Sequence, residues 1–84
     1  MGYKLDFSEE SLSKLESLGQ SDAKRLRQIF MKILSLRRNP FPSDSKKLQN
    51  FNYKGLSGYR ADQVEYRIIY AVDENNKKVS IGKV

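Results

Sequence analysis

Among its 84 residues the chain has no cysteine and no histidine. Disulfides, Cys/His zinc sites, thiol or Ser–His nucleophiles and imidazole acid–base catalysis are thereby excluded. No apolar run approaches a membrane-spanning length, and the opening "MGYKLDFSEE" lacks a signal peptide's apolar stretch, so the cytosol is the expected location. Lys, Arg, Tyr, Asp and Glu are left to carry any chemistry. A hydrophobic content of 38% and a charged content of 31% suit one small folded domain, with a single modest core and no room for a large buried cofactor.

The net charge of +6 is unevenly placed. Residues 1–22 hold Lys4 and Lys14 against five carboxylates, residues 23–60 hold ten Lys and Arg against Asp44 alone, and residues 61–84 balance. The central segment, at +9, is one contiguous basic block. Such a block attracts a phosphate backbone or an acidic protein partner, and it also serves simply as a solvated face that keeps a small protein soluble.

The hydropathy pattern predicts an α+β domain. "YKLDF" alternates and predicts a short strand over about 3–7, with Ser8 as N-cap and Glu9 and Glu10 in the first turn of a helix. Leu12, Leu15 and Leu18 then recur on one helical face, and Gly19 offers a left-handed C-cap, giving a helix over about 9–18. A second helix over about 22–38 carries Ala23, Leu26, Ile29, Phe30, Ile33 and Leu34 on one stripe and a basic face ending in Arg37 and Arg38. The two make an antiparallel α-hairpin whose apolar stripe needs a sheet to cover it.

Residues 39–57, rich in Pro, Ser, Asn and Gly, read as an irregular surface connection. It carries Lys46, Lys47 and Lys54 interleaved with Phe51 and Tyr53, a mixture that can hold phosphates and stack bases. The plainer reading is that Phe41, Leu48, Phe51 and Leu56 pin the loop to the core. From Tyr59 the period becomes two, predicting strands over about 58–62, 66–72 and 78–84 in a three-strand antiparallel meander.

Arg67 stands inside an otherwise apolar strand, on the face shared with Ile69 and Ala71. Two readings are open: an ion pair with Asp62 or Glu65, or a guanidinium whose fork binds phosphate. Arg60 lies across the turn, so both can project from neighbouring strands toward one point. Two converging cations repel unless an anion joins them, which makes an RNA phosphate a reasonable guest.

The segments "YKLDFSEESLSKLESL", "KKLQNF", "GYRADQVEYRIIYAVDE" and "VSIGKV", in this order, resemble the RelE/ParE superfamily of bacterial toxins, on its RelE side. The resemblance spans essentially the whole chain, and "YR-x(5)-YRIIY" is its most specific part. It implies a bacterial cytoplasmic toxin of a type II toxin–antitoxin pair, bound by a RelB-like antitoxin. The implied activity is an mRNA interferase: an endoribonuclease that cuts messenger RNA in the ribosomal A site and so inhibits translation, without metal or cofactor.

Residue by residue, the resemblance gives Arg67 the contact to the scissile phosphate and Arg60 a supporting cation on the preceding strand. Asp62 falls where a second basic residue is usual. Lys46 and Lys47 fall in the basic stretch that the family uses to hold RNA, and Lys54, Arg37 and Arg38 of the same basic block join them as expected RNA- and ribosome-binding residues. Family members commonly continue the last strand with Gly-x-Arg and then a Tyr of the active site, whereas this chain stops at Lys83-Val84, so impaired cleavage is an expectation here. Two other readings stay open: a ParE-like inhibitor of DNA gyrase, and a non-catalytic scaffold that binds an acidic antitoxin segment.

Overall fold

The computed structural model describes residues 2–53, 55–63 and 65–84, with the side chains of residues 50–53 left aside. Its elements run β1 (Lys4–Phe7), α1 (Glu9–Ser21), α2 (Ala23–Arg38), β2 (Ser45–Tyr53), β3 (Leu56–Gln63), β4 (Tyr66–Asp73) and β5 (Lys78–Lys83). They form two layers, an α-hairpin on one face of a five-stranded sheet ordered β1-β5-β4-β3-β2. The sheet is mixed: β2 to β5 form an antiparallel meander, while β1 joins parallel to β5, pairing Leu5 with Val79 and Phe7 with Ile81. The α+β class and the hairpin-on-sheet arrangement are those the hydropathy pattern predicts.

The meander has one strand more than the sequence pattern suggests. Residues 39–57, expected to be irregular, contain the nine residues of β2. This strand lies at the sheet's edge with β3 as its partner, so most of its described side chains face water. Edge strands tolerate Lys, Gln and Asn, and that composition conceals a strand from any reading based on alternating hydrophobicity.

The hairpin also differs in detail. Gly19 does not end α1; the helix continues through it to Ser21. A Cβ on Gly19 would come within 3.3 Å of Leu26 Cδ2, so this glycine serves close helix packing rather than a left-handed cap. Asp22, with extended φ of −154°, closes α1 through its N–H to Leu18 O and opens α2 by accepting from the Arg25 N–H at 3.1 Å.

The core lies between the layers. Ile29, Ile33 and Leu36 follow the i, i+4, i+7 spacing of α2 and, with Leu18, meet Ala61, Ile68, Tyr70, Val72, Val79 and Ile81 from the sheet. Each large apolar side chain fully buried in this way contributes about 1.5–3 kcal/mol relative to exposure. Among the described residues no helix is long and apolar enough to cross a membrane.

The start of α1 is tied to the end of β5. Ser8 caps α1 by accepting from the Ser11 N–H, and its hydroxyl donates to Gly82 O at 2.6 Å. The buried Ser11 hydroxyl donates to Ile81 O at 3.1 Å, and the Ser8 N–H reaches the same carbonyl at 2.9 Å. These bonds satisfy carbonyls that β5 would otherwise present to the helix layer unpaired.

Candidate functional site

Strand alternation puts the apolar half of the meander under the helices and the charged half on the opposite, open face. Tyr59, paired with Tyr70, and Ala61, paired with Ile68, point to the core. The intervening pairs, Arg60 with Ile69 and Asp62 with Arg67, therefore share the open face. On the far side of β3, Lys46 of β2 lies directly opposite Arg60. Two cations of the basic block and the strand arginine thus form one patch holding Lys46, Arg60 and Arg67.

At the patch centre stands a carboxylate. Asp62 Oδ1 accepts from Arg67 Nε at 3.3 Å and lies 3.8 Å from Arg60 Nη1. The Asp62 and Arg67 side chains are 57% and 59% exposed, so water screens both pairs and each contributes at most about 1 kcal/mol. The anion that two converging arginines require is supplied from within the chain. Ion pairing, one of the two readings of Arg67, is what the geometry displays. It leaves the guanidinium open to solvent on its other edge.

The remaining candidate residues are spread over the molecule. Lys47 pairs with Tyr59, so strand alternation sends it to the face opposite Lys46. Arg37 and Arg38 occupy the last turn of α2, where a cation is favoured by the helix dipole. Arg37 Nε donates to Tyr3 O at 3.2 Å, near the end of the sheet where β5 begins, whereas Arg67 sits toward the end where β5 finishes. Lys54 lies outside the described residues, as do the side chains of Phe51 and Tyr53.

Two perturbed groups belong to the scaffold. Burial raises the Tyr70 phenol above its usual range; its hydroxyl donates to Pro40 O at 2.7 Å and latches the connection between α2 and β2. The Lys32 ammonium, 2.7 Å from Asp44, holds that carboxyl below the usual carboxylate range and anchors the same connection to α2. Phe41 then packs edge-on against Tyr59 at 5.1 Å, and Tyr59 stacks on Tyr70. This latch carries the chain into β2 and so sets Lys46 beside Arg60. Among the described residues no three acidic side chains gather as a metal site requires.

On the outer side of the hairpin, Leu12, Leu15, Gly19, Ala23, Leu26 and Phe30 line an apolar hollow of about 580 Å³. Leu12 and Phe30 remain 38% and 41% exposed there, although both are large apolar side chains. Periodicity alone missed this second surface because it assigns Phe30 to the same buried stripe as Ile29.

No protein-family model and no curated protein matches the sequence. Solved structures do match the fold. The chain is similar to the archaeal RelE–RelB complex from Pyrococcus horikoshii OT3, with a TM-score of 0.78 and 30% identity covering 99% of this chain and 92% of that one. It is similar to the intact RelBE toxin–antitoxin complex of E. coli, with a TM-score of 0.74 and 24% identity over 96% of this chain and 92% of that one. A YoeB/ParE toxin from Agrobacterium tumefaciens shares the fold at a TM-score of 0.79 and 19% identity, covering 95% and 93% of the two chains.

Proposed function

The chain belongs to the RelE toxin family, and from that premise we propose that it is the toxin of a type II toxin–antitoxin pair, acting as a metal-independent endoribonuclease on messenger RNA in the ribosomal A site. The observation that carries this reading is the shared open face of Arg60 and Arg67, beside Lys46 and bridged by Asp62.

Cleavage of this kind begins with in-line attack of a ribose 2′-oxygen on the adjacent phosphorus. The attacking oxygen loses its proton, the 5′-oxygen of the next nucleotide leaves and gains one, and negative charge builds on the phosphoryl oxygens between. Arg67 is placed to bind those oxygens, and Arg60 to orient the same group from the neighbouring strand. Asp62 occupies the position the phosphate takes, so substrate enters by displacing a carboxylate from the two guanidiniums. The ribosome contributes by presenting the codon in an attack-ready geometry. Lys46, Lys47, Lys54, Arg37 and Arg38 surround the site at longer range and meet RNA as diffuse positive charge.

The partner is a RelB-like antitoxin. The relatives above include toxin–antitoxin complexes, and the apolar hollow on the hairpin suits the apolar face of an amphipathic helix. Arg27 at its border, and Arg37, Arg38 and Lys47 farther away, favour carboxylates on that helix.

Primer extension on messenger RNA bound to purified ribosomes tests the reading. Wild-type chain is expected to produce cuts at the A-site codon, and Arg67→Ala to lower the rate about a hundredfold or more. Equal cleavage by both proteins refutes the role of Arg67. Absence of cleavage together with loss of supercoiling by DNA gyrase replaces the ribonuclease reading with gyrase inhibition.

A further inference from the structure

A second hollow, of about 290 Å³, opens where the sheet ends against α1. Lys14 of α1, Glu65 of the β3–β4 turn, Tyr66 and Arg67 of β4, and Lys83 and Val84 border it. Three side-chain cations from three elements therefore border the hollow, with Glu65 as the acidic side chain of its rim and the α-carboxyl of Val84 beside it.

Each cation is held there by the fold. Lys14 Nζ lies over the Tyr66 ring at 5.5 Å, and the Arg25 guanidinium lies 5.9 Å from the same ring. Lys83 owes its direction to an irregularity. The register between β4 and β5 pairs Tyr70 with Ile81 but Ile69 with Lys83, leaving Gly82 as an extra residue. Without that bulge Lys83 would follow Ile81 toward the core; with it, Lys83 joins Ile69 on the open face. The Ser8 and Ser11 hydrogen bonds to the Gly82 and Ile81 carbonyls fix this corner. The partner of Lys83 is Glu10 at 3.9 Å, and the two side chains are 62% and 66% exposed, so the pair is readily exchanged for a stronger anion.

We propose that this hollow binds a second phosphate of the RNA strand, adjacent to the one seated at Arg60 and Arg67, with Lys14 and Lys83 as its counter-charges. The inference rests on the ribonuclease reading and adds to it a register-setting contact. Arg67 borders both places, so a strand with one phosphate on each side of it is fixed along its length rather than at one point. Backbone contacts of this type position a nucleic acid without reading its sequence.

The test is fluorescence anisotropy of a labelled oligouridylate over a salt series. It compares wild type, a Lys14→Gln/Lys83→Gln double variant, and a Lys4→Gln/Lys78→Gln control that removes equal charge from the other end of the sheet. The hollow variant is expected to bind roughly 2- to 30-fold more weakly at low salt, as two exposed charge contacts imply. The slope of log K against log salt should shrink by about 0.7, the value of one single-strand phosphate contact. The control variant should keep a slope nearer that of wild type. Equal slopes in the two double variants, with wild type binding RNA, overturn the hollow alone. Absence of salt-dependent RNA binding by wild type overturns the hollow and the ribonuclease reading together. A larger loss of binding to a hexaglutamate peptide than to RNA in the hollow variant assigns the site to a protein carboxylate and overturns the phosphate. Circular dichroism of all three proteins confirms that the comparison is made between folded chains.

Discussion

Replacing Asp62 by Asn keeps the side chain's size and removes the negative charge that Arg60 and Arg67 share at 3.8 and 3.3 Å. If a substrate phosphate must displace this carboxylate, the lost ion pairs reappear as affinity. Asp62 is exposed in both pairs and each contributes about 0.2–1 kcal/mol, so the two together oppose binding by about 0.4–2 kcal/mol. At about 1.4 kcal/mol per tenfold, Asp62→Asn should bind single-stranded RNA roughly 2- to 30-fold more tightly at low ionic strength, with the gain shrinking as salt rises. The proper comparison is Glu74→Gln, which removes the same unit charge from the exposed β4–β5 turn. Anisotropy titrations of both variants at matched ionic strength separate the local effect from the change in net charge. Equal affinities for the two variants would refute displacement. Weaker binding by Asp62→Asn would show that the carboxylate holds the guanidiniums in place for RNA rather than competing with it.

Three further outcomes are expected. Tyr70→Phe deletes the hydroxyl bonded to Pro40 O and strands that carbonyl, costing about 1–3 kcal/mol, or roughly 4–8 °C in Tm per kcal/mol for a domain of this size; an unchanged melt by circular dichroism would contradict the latch. Burial raises the Tyr70 phenol, so the folded state holds its proton more firmly than the unfolded chain. That contribution is complete below the ordinary value of 10.0 and is lost as pH rises through the raised folded value, so urea midpoints should fall above about pH 10, and less steeply in Tyr70→Phe. Phe30→Glu places a charge in the hairpin hollow without touching the core and should abolish capture by a RelB-like antitoxin while leaving Tm nearly unchanged; retained capture places the partner elsewhere.

The helices and the inner strands were legible because their burial is one-sided. Ile29 and Ile33 fall on one helical stripe, and Ile68, Tyr70 and Val72 on one strand face, so period alone identifies them, whereas the fully buried Leu36 was left off that stripe and Leu34 was placed on it. The edge strand β2 was not legible, since a strand with one neighbour and a wet face has no reason to alternate. The same cause hid the pairing of Lys46 with Arg60, which depends on the β2 register. Arg60, Asp62 and Arg67 could be placed on one face from alternation across a tight turn, whereas Lys83 could not. Its orientation depends on a bulge at Gly82, a one-residue event that reverses every inference drawn from a period of two. A glycine immediately before the final lysine was the available signal.

The two faces of the sheet constrain how a partner can silence the toxin proposed here. The apolar hollow lies on the outer side of the hairpin, and Arg60 and Arg67 lie on the other side of the sheet. A helix docked in that hollow alone covers neither guanidinium and leaves the basic patch open. Neutralisation by occlusion therefore requires a second segment of the same partner to pass a sheet edge and reach the open face. The patch dictates that segment's chemistry: it must offer carboxylates to Lys46, Arg60 and Arg67, repeating in trans what Asp62 does in cis. Its grip should weaken with salt while that of the apolar segment does not. Raising ionic strength should then release the acidic segment before the apolar one, read as faster amide exchange over β3 and β4 while the complex still elutes intact, an order that a single combined docking surface would not produce.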